Sequence, residues 1–232
     1  MKAPKEHKPQ VSRNLKFSRS TKQCVKIISI ETNLFGGNGI IHNQSNRKAN
    51  LYGIGNHNIV YVDRGFWNRG VIPNQNLLQL NELLIIVSHG HWRIPYFARK
   101  TPNALATELA NSNIFPQNYH GTIYLNGCYT GAPGPRGTVG DGSSYAEKFK
   151  IALQNTQNNL GPFNVKGNLG AAYTSLGGRE NIYLDETRTI RLINENINLV
   201  NPPGPYLSPF RDHIGIENNK YVTYSPFAQV TY

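Results

Sequence analysis

Five aliphatic residues in a row, Leu83-Leu84-Ile85-Ile86-Val87, are followed at once by Ser88-His89-Gly90-His91. A continuous apolar run bounded by polar residues fits a strand buried on both faces, as in a parallel sheet. The run is too short to cross a bilayer. A second apolar strand follows in Thr122-Ile123-Tyr124-Leu125, and it leads through Asn126-Gly127 to Cys128. Between the two, Thr101-Pro102-Asn103 predicts a helix start, with Thr101 as N-cap and Pro102 at the first helical position. Leu105 and Leu109, with Ala106 and Ala110 beside them, give that helix an apolar stripe. Strand, helix, strand is a right-handed crossover joining parallel strands. If those strands are neighbours, their C-terminal ends share the sheet edge at which open α/β sheets bind ligands. His89 and Cys128 each stand just past a strand end and are expected to meet there. Glycine follows His89 and precedes Cys128, which leaves room for a substrate backbone. A thiol beside an imidazole is the pairing that attacks an acyl carbon.

The rest of the chain is read around this unit. Residues 24–30 and 59–62 predict strands from their β-branched content. Residues 33–58 are rich in Gly, Asn and Ser and predict a surface excursion in the form of an irregular hairpin; no Gly-Lys-Ser/Thr ending marks a phosphate loop. Residues 77–82 lead as helix or loop into the first apolar strand. Gly131-Ala132-Pro133-Gly134-Pro135-Arg136-Gly137 predicts a loop beside the site. Ser144-Tyr145-Ala146-Glu147 is a capping box opening a helix whose Tyr145, Phe149, Ala152 and Leu153 share a face. Residues 165–173 predict one strand interrupted by Gly167 and Gly170, and 182–184 and 221–224 two more. Residues 187–200 alternate apolar with polar in places and also admit a helix.

At 232 residues the chain has the length for one α/β domain with a full core. Its net charge is +11, of which residues 1–22 carry +6, with seven Lys/Arg against Glu6. That stretch reads as a basic, disordered tail, and residues 23–232 as the single domain. No apolar segment follows the first charges, so a standard secretory signal is not expected; a secreted or translocated effector would travel by another route. No aromatic-rich nucleic-acid module or zinc-knuckle spacing is present, which argues against a nucleic-acid partner. Two cysteines are too few for a disulfide framework. Cys24, opening a strand, is expected to be a small buried hydrophobe.

An apolar strand ending in His-Gly, a helix, then an apolar strand ending in Cys resembles the caspase-like (clan CD) cysteine peptidases. That superfamily includes caspases, legumain, gingipains, clostripain and the self-processing protease domains of bacterial toxins. Tyr145-Ala146-Glu147-Lys148-Phe149 and the strand to Ala171-Ala172-Tyr173 also resemble its bacterial members, so the likeness spans roughly residues 83–175. The resemblance implies a three-layer α/β/α sandwich around a mostly parallel sheet, and a thiol endopeptidase that cleaves proteins or processes itself without a cofactor. Cys128 would be the nucleophile and His89 the acid/base. The backbone N–H groups of Gly90 and Cys128 would form the oxyanion hole. Asn126, two residues before the nucleophile, would line the substrate pocket. Some toxin members are switched on by an anionic inositol phosphate, so an anionic activator is a further implied partner. The caspase signature around the Cys is absent, as is its Arg after the nucleophile, which excludes a true caspase with its Asp specificity.

Other readings compete. His89 and His91 are spaced as metal-ligand pairs can be, but His42, His57, His120 and His213 do not supply matching ligands, and no metal is expected. Cys128 also fits an inert thiol at a strand end. Asp63 and Asp141 are tempting third members, yet loop solvation explains Asp141 equally well, and neither is placed in the catalytic set. A non-catalytic effector module whose basic surface recruits a polyanion, or a thiol hydrolase of small molecules, would use the same chain differently.

Overall fold

A computed structural model describes residues 24–32, 39–64, 70–75, 77–90, 96–132, 143–174, 180–184, 214–217, 220–224 and 229–232. The basic tail, His91, Asp141, residues 187–200 and most of the Gly/Pro segment after Ala132 lie outside them. The elements are β1 (Val25–Glu31), α1 (Ile40–Tyr52), β2 (Ile59–Asp63), β3 (Leu83–Ser88), α2 (Pro102–Asn111), β4 (Thr122–Asn126), α3 (Tyr145–Thr156), β5 (Asn164–Asn168), β6 (Ala171–Thr174), β7 (Glu180–Leu184), β8 (Ile214–Glu217), β9 (Lys220–Tyr224) and β10 (Gln229–Thr231). No described helix is long and apolar enough to cross a membrane.

The fold is α/β with a mostly parallel sheet. Six strands run in the order β10-β5-β4-β3-β1-β2; β10 pairs antiparallel with β5 and the other neighbours are parallel. The aliphatic run of β3 explains its place. Every residue of it is buried, which only an inner strand covered on both faces allows. Its side chains alternate between two apolar clusters, as the pleat dictates. Leu84 and Ile86 join Leu105 and Leu109 of α2 and Phe149 and Leu153 of α3. Leu83, Ile85 and Val87 join Ile41 and Ala49 of α1. Helices therefore cover both sides of the strand pair that carries His89 and Cys128.

Both predicted helix starts are present. Thr101 Oγ1 accepts from the Ala104 amide, and Ser144 Oγ from the Glu147 amide at 3.1 Å. Ser144→Ala leaves the Glu147 amide without that acceptor, and thermal unfolding should show a loss of about 1 kcal/mol.

Three expectations need correcting. The 33–58 stretch holds helix α1 rather than a hairpin. Glycines in the left-handed region, Gly39 (φ 75) and Gly53 (φ 62), bracket it. Its buried face is Ile41, Ser45, Lys48 and Ala49, a helical period in which serine and lysine stand where apolar residues would announce a helix. Lys48 reaches across the sheet face, with Nζ 5.0 Å from the centre of the Tyr124 ring. The single strand expected over 165–173 is two strands in different sheets. β5 closes the parallel sheet, whereas β6 begins a four-stranded antiparallel sheet ordered β6-β7-β9-β8. Gly167 is not an interruption; a methyl group there would lie 2.5 Å from the Gly131 nitrogen, so it serves close backbone approach. Finally, Cys24 is exposed, because it precedes the first paired residue of β1 rather than pointing into the core.

Candidate active site

Strand register brings the site together. Ile30 pairs with Ser88, and Val87 with Asn126. Continued past the strand ends, these registers set Glu31, His89 and Cys128 side by side on β1, β3 and β4. Alternation places them on the α1 side of the sheet, with Ile85, Val87 and Tyr124. The backbones close up at this point. A methyl group on Gly90 would lie 2.3 Å from the Cys128 carbonyl oxygen and 3.2 Å from its nitrogen. One on Gly127 would strike the buried Phe97 ring and the Ser88 carbonyl. The glycines flanking the two reactive residues thus let the strand ends touch. The Ala98 amide donates to the His89 carbonyl at 3.0 Å and holds the exit from β3 in place.

Beyond Cys128 the chain is tied to β5 and β6. Tyr129 takes a left-handed conformation (φ 58) and donates its amide to the Gly170 carbonyl at 2.8 Å. Thr130 Oγ1 donates to the Leu125 carbonyl at 2.7 Å and accepts from the Asn168 amide at 3.0 Å. These bonds bring the chain after Cys128 to the start of β6, whose Ala172 amide favours the Cys128 thiolate.

Sequence reasoning missed Glu31. Its side chain is 2 % exposed, and Oε1 stands 3.6 Å from His89 Nε2. Oε1 also accepts from the Thr32 amide at 3.2 Å, and Oε2 from the Ile41 amide at 3.0 Å. The Ile41 amide belongs to the first turn of α1, so the positive end of that helix faces the carboxylate. The available signal was positional: Glu31 ends β1 as His89 ends β3, one strand over. With α1 unread, nothing explained a carboxylate there.

The surroundings set the protonation of the pair. Burial pushes the His89 imidazole below its ordinary value, and Glu31 draws it only partway back. Burial pushes the Cys128 thiol up, against the Ala172 and Cys128 amides that favour its thiolate. At neutral pH the two resting groups are therefore thiol and neutral imidazole. Alkylation of Cys128 by iodoacetamide should accordingly keep rising with pH above neutrality. A rate already level between pH 6 and 7 would instead reveal a preformed thiolate–imidazolium pair.

The remaining predicted residues fall as follows. Neither the Gly90 nor the Cys128 amide donates to another backbone carbonyl among the described residues. Asn126 is buried beneath Cys128. Its Oδ1 lies 3.4 Å from Asn168 Nδ2, and its own Nδ2 has no partner among the described residues. Asn168 accepts from the Tyr124 hydroxyl at 2.8 Å and donates to the Gly127 carbonyl at 3.1 Å, so the two amides form a buried polar floor under the thiol. Asp63 lies at the end of β2, bonded to His42. Among the described residues no group of three or more His, Cys, Asp or Glu side chains could hold a metal ion. No family model matches the chain, and a search of curated proteins finds no match either.

Proposed function

We propose that the chain is a cysteine endopeptidase of caspase-like α/β/α architecture, acting on a protein or peptide substrate, itself included. The observation that carries this reading is the buried Glu31 carboxylate 3.6 Å from the His89 imidazole, with Cys128 placed one strand over from His89 by the register of β3 and β4. Cys128 Sγ attacks the scissile carbonyl while its proton passes to His89. The oxyanion is held by the Gly90 and Cys128 amides. His89 then protonates the leaving amine, and water hydrolyses the thioester with His89 as base. Glu31 fixes the ring and offsets the imidazolium charge.

The edge of the second sheet supports a peptide over a small molecule. Among the described residues β6 pairs with β7 alone, and it begins just after Gly170, whose carbonyl accepts from the amide of Tyr129 next to Cys128. An extended substrate can add to such an edge through main-chain hydrogen bonds. The test is labelling with a peptidyl acyloxymethyl ketone followed by mass spectrometry. Modification is expected at Cys128, and labelling of Cys24 alone would overturn the reading.

The charge of +11 favours a second reading, a non-catalytic module that recruits a polyanion. Under it, heparin binding weakens steeply with salt and survives loss of the thiol. An anionic activator would combine the two: heparin or an inositol phosphate would then raise the labelling rate at Cys128.

A further inference from the structure

A second polar cluster lies on the α1 side of the sheet, outside the mechanism just described. His42, in the first turn of α1, is held at both ring nitrogens. Nδ1 is 2.8 Å from Ser29 Oγ on β1, and Nε2 is 3.0 Å from Asp63 Oδ1 at the end of β2. The edge of a ring meets Tyr61 of β2, with centroids 5.0 Å apart, and the Tyr61 hydroxyl bonds Asn46, one turn further along α1. Ser45, on the same helix, approaches Ser29 Oγ at 2.7 Å and the Ile41 carbonyl at 2.9 Å.

These are the residue types of a nucleophilic triad, but Ser29 is 0 % exposed and no substrate can reach it. What the cluster can do is anchor a helix end. The N-cap of α1 is Gly39, which has no side chain to accept the first amides, and such an end frays unless something outside the helix holds it. Two things hold it: Glu31, which accepts from the Ile41 amide, and His42, the next residue, which ties the same turn to β1 and β2. The amide that fixes Glu31 against His89 is therefore one residue from the ring that fixes the turn. A slip of that turn by one residue rise, about 1.5 Å, breaks a 3.0 Å hydrogen bond.

We propose that His42 is a positioning residue for the Cys128/His89 site, acting through the Ile41 amide and the Glu31 carboxylate on His89. The inference rests on reading that site as catalytic. Its test is the pH titration of the His89 ring by NMR, together with iodoacetamide alkylation of Cys128, in the wild type, E31A, H42F and the double variant. Phenylalanine keeps a ring against Tyr61 and removes both nitrogens.

H42F is expected to lower the His89 midpoint in the same direction as E31A and to slow alkylation near pH 7 by about threefold to tenfold. The double variant should match E31A alone, because one change acts through the other. An unmoved His89 midpoint in H42F, or effects that simply add in the double variant, overturns the proposal. If H42F does not fold, S29A and D63N each remove one bond to the ring and should lower the midpoint by less; no change in either overturns it equally. The NMR titration needs no substrate. Midpoints that shift as expected in a protein that hydrolyses nothing would sink the hydrolase and leave the coupling standing.

Discussion

Cys128→Ala is expected to abolish both labelling by the peptidyl probe and cleavage, while Cys24→Ala leaves them at wild-type levels. The contrast is informative because Cys24 is the more exposed of the two thiols. By access alone it should react first, as an ordinary surface cysteine does. Cys128 is half-buried, and its thiol is pushed up by burial, so its resting reactivity toward a small alkylator should be low. An electrophile presented as an acyl group on a peptide changes that order, because His89 can then take the proton as the carbon is attacked. The signature is a reversal: Cys24 leads with iodoacetamide and Cys128 leads with the peptidyl probe. Cleavage that persists in Cys128→Ala would remove the nucleophile from the mechanism. His89 and Glu31 would then need another explanation.

Gly90→Ala is expected to disable the site almost as thoroughly while leaving both reactive side chains in the chain. The added methyl group would sit 2.3 Å from the Cys128 carbonyl oxygen. Its neighbour is backbone, so no rotamer change can relieve the contact, and β3 must part from the turn after β4. A displacement of about 1 Å at a reacting centre can cost on the order of a hundredfold in rate. Forcing a methyl group into a packed site costs about 1–3 kcal/mol of stability. The measurement is the labelling rate of folded Gly90→Ala, with its melting temperature recorded alongside. A wild-type rate would show that the touching backbones at Gly90 and Cys128 do not set the reacting geometry.

The parts of this fold that could be read from sequence are those where local pattern and global position agree. β3 is aliphatic throughout because it is buried throughout. Thr101-Pro102 and Ser144 announce their helices because capping is a local interaction. Once β3 and β4 were joined by α2, the placement of His89 and Cys128 at one sheet edge followed from topology. Helix α1 was hidden because its buried face includes Ser45 and Lys48, polar residues whose partners, Ser29 and the Tyr124 ring, come from distant strands. Glu31 was hidden for the same reason, since a lone acid at a strand end gains meaning only from the helix end and histidine around it. The jump from β5 to β6 left a trace in Gly167 and Gly170. A glycine alone, however, does not say whether a strand bends, breaks or admits a neighbour.

Strand β10 has a consequence in time. It pairs with β5, and the Tyr232 hydroxyl donates to the Gly131 carbonyl at 3.1 Å, just past Cys128. Gln229 donates to the Tyr124 hydroxyl at 2.6 Å, in the polar floor beneath it. A ribosome making this chain in order therefore releases the histidine and the cysteine long before the segment that braces the turn between them and β5. During that interval the growing chain holds both reactive groups without the support that sets their geometry. Whatever the site does thus waits on residues made about a hundred positions after Cys128.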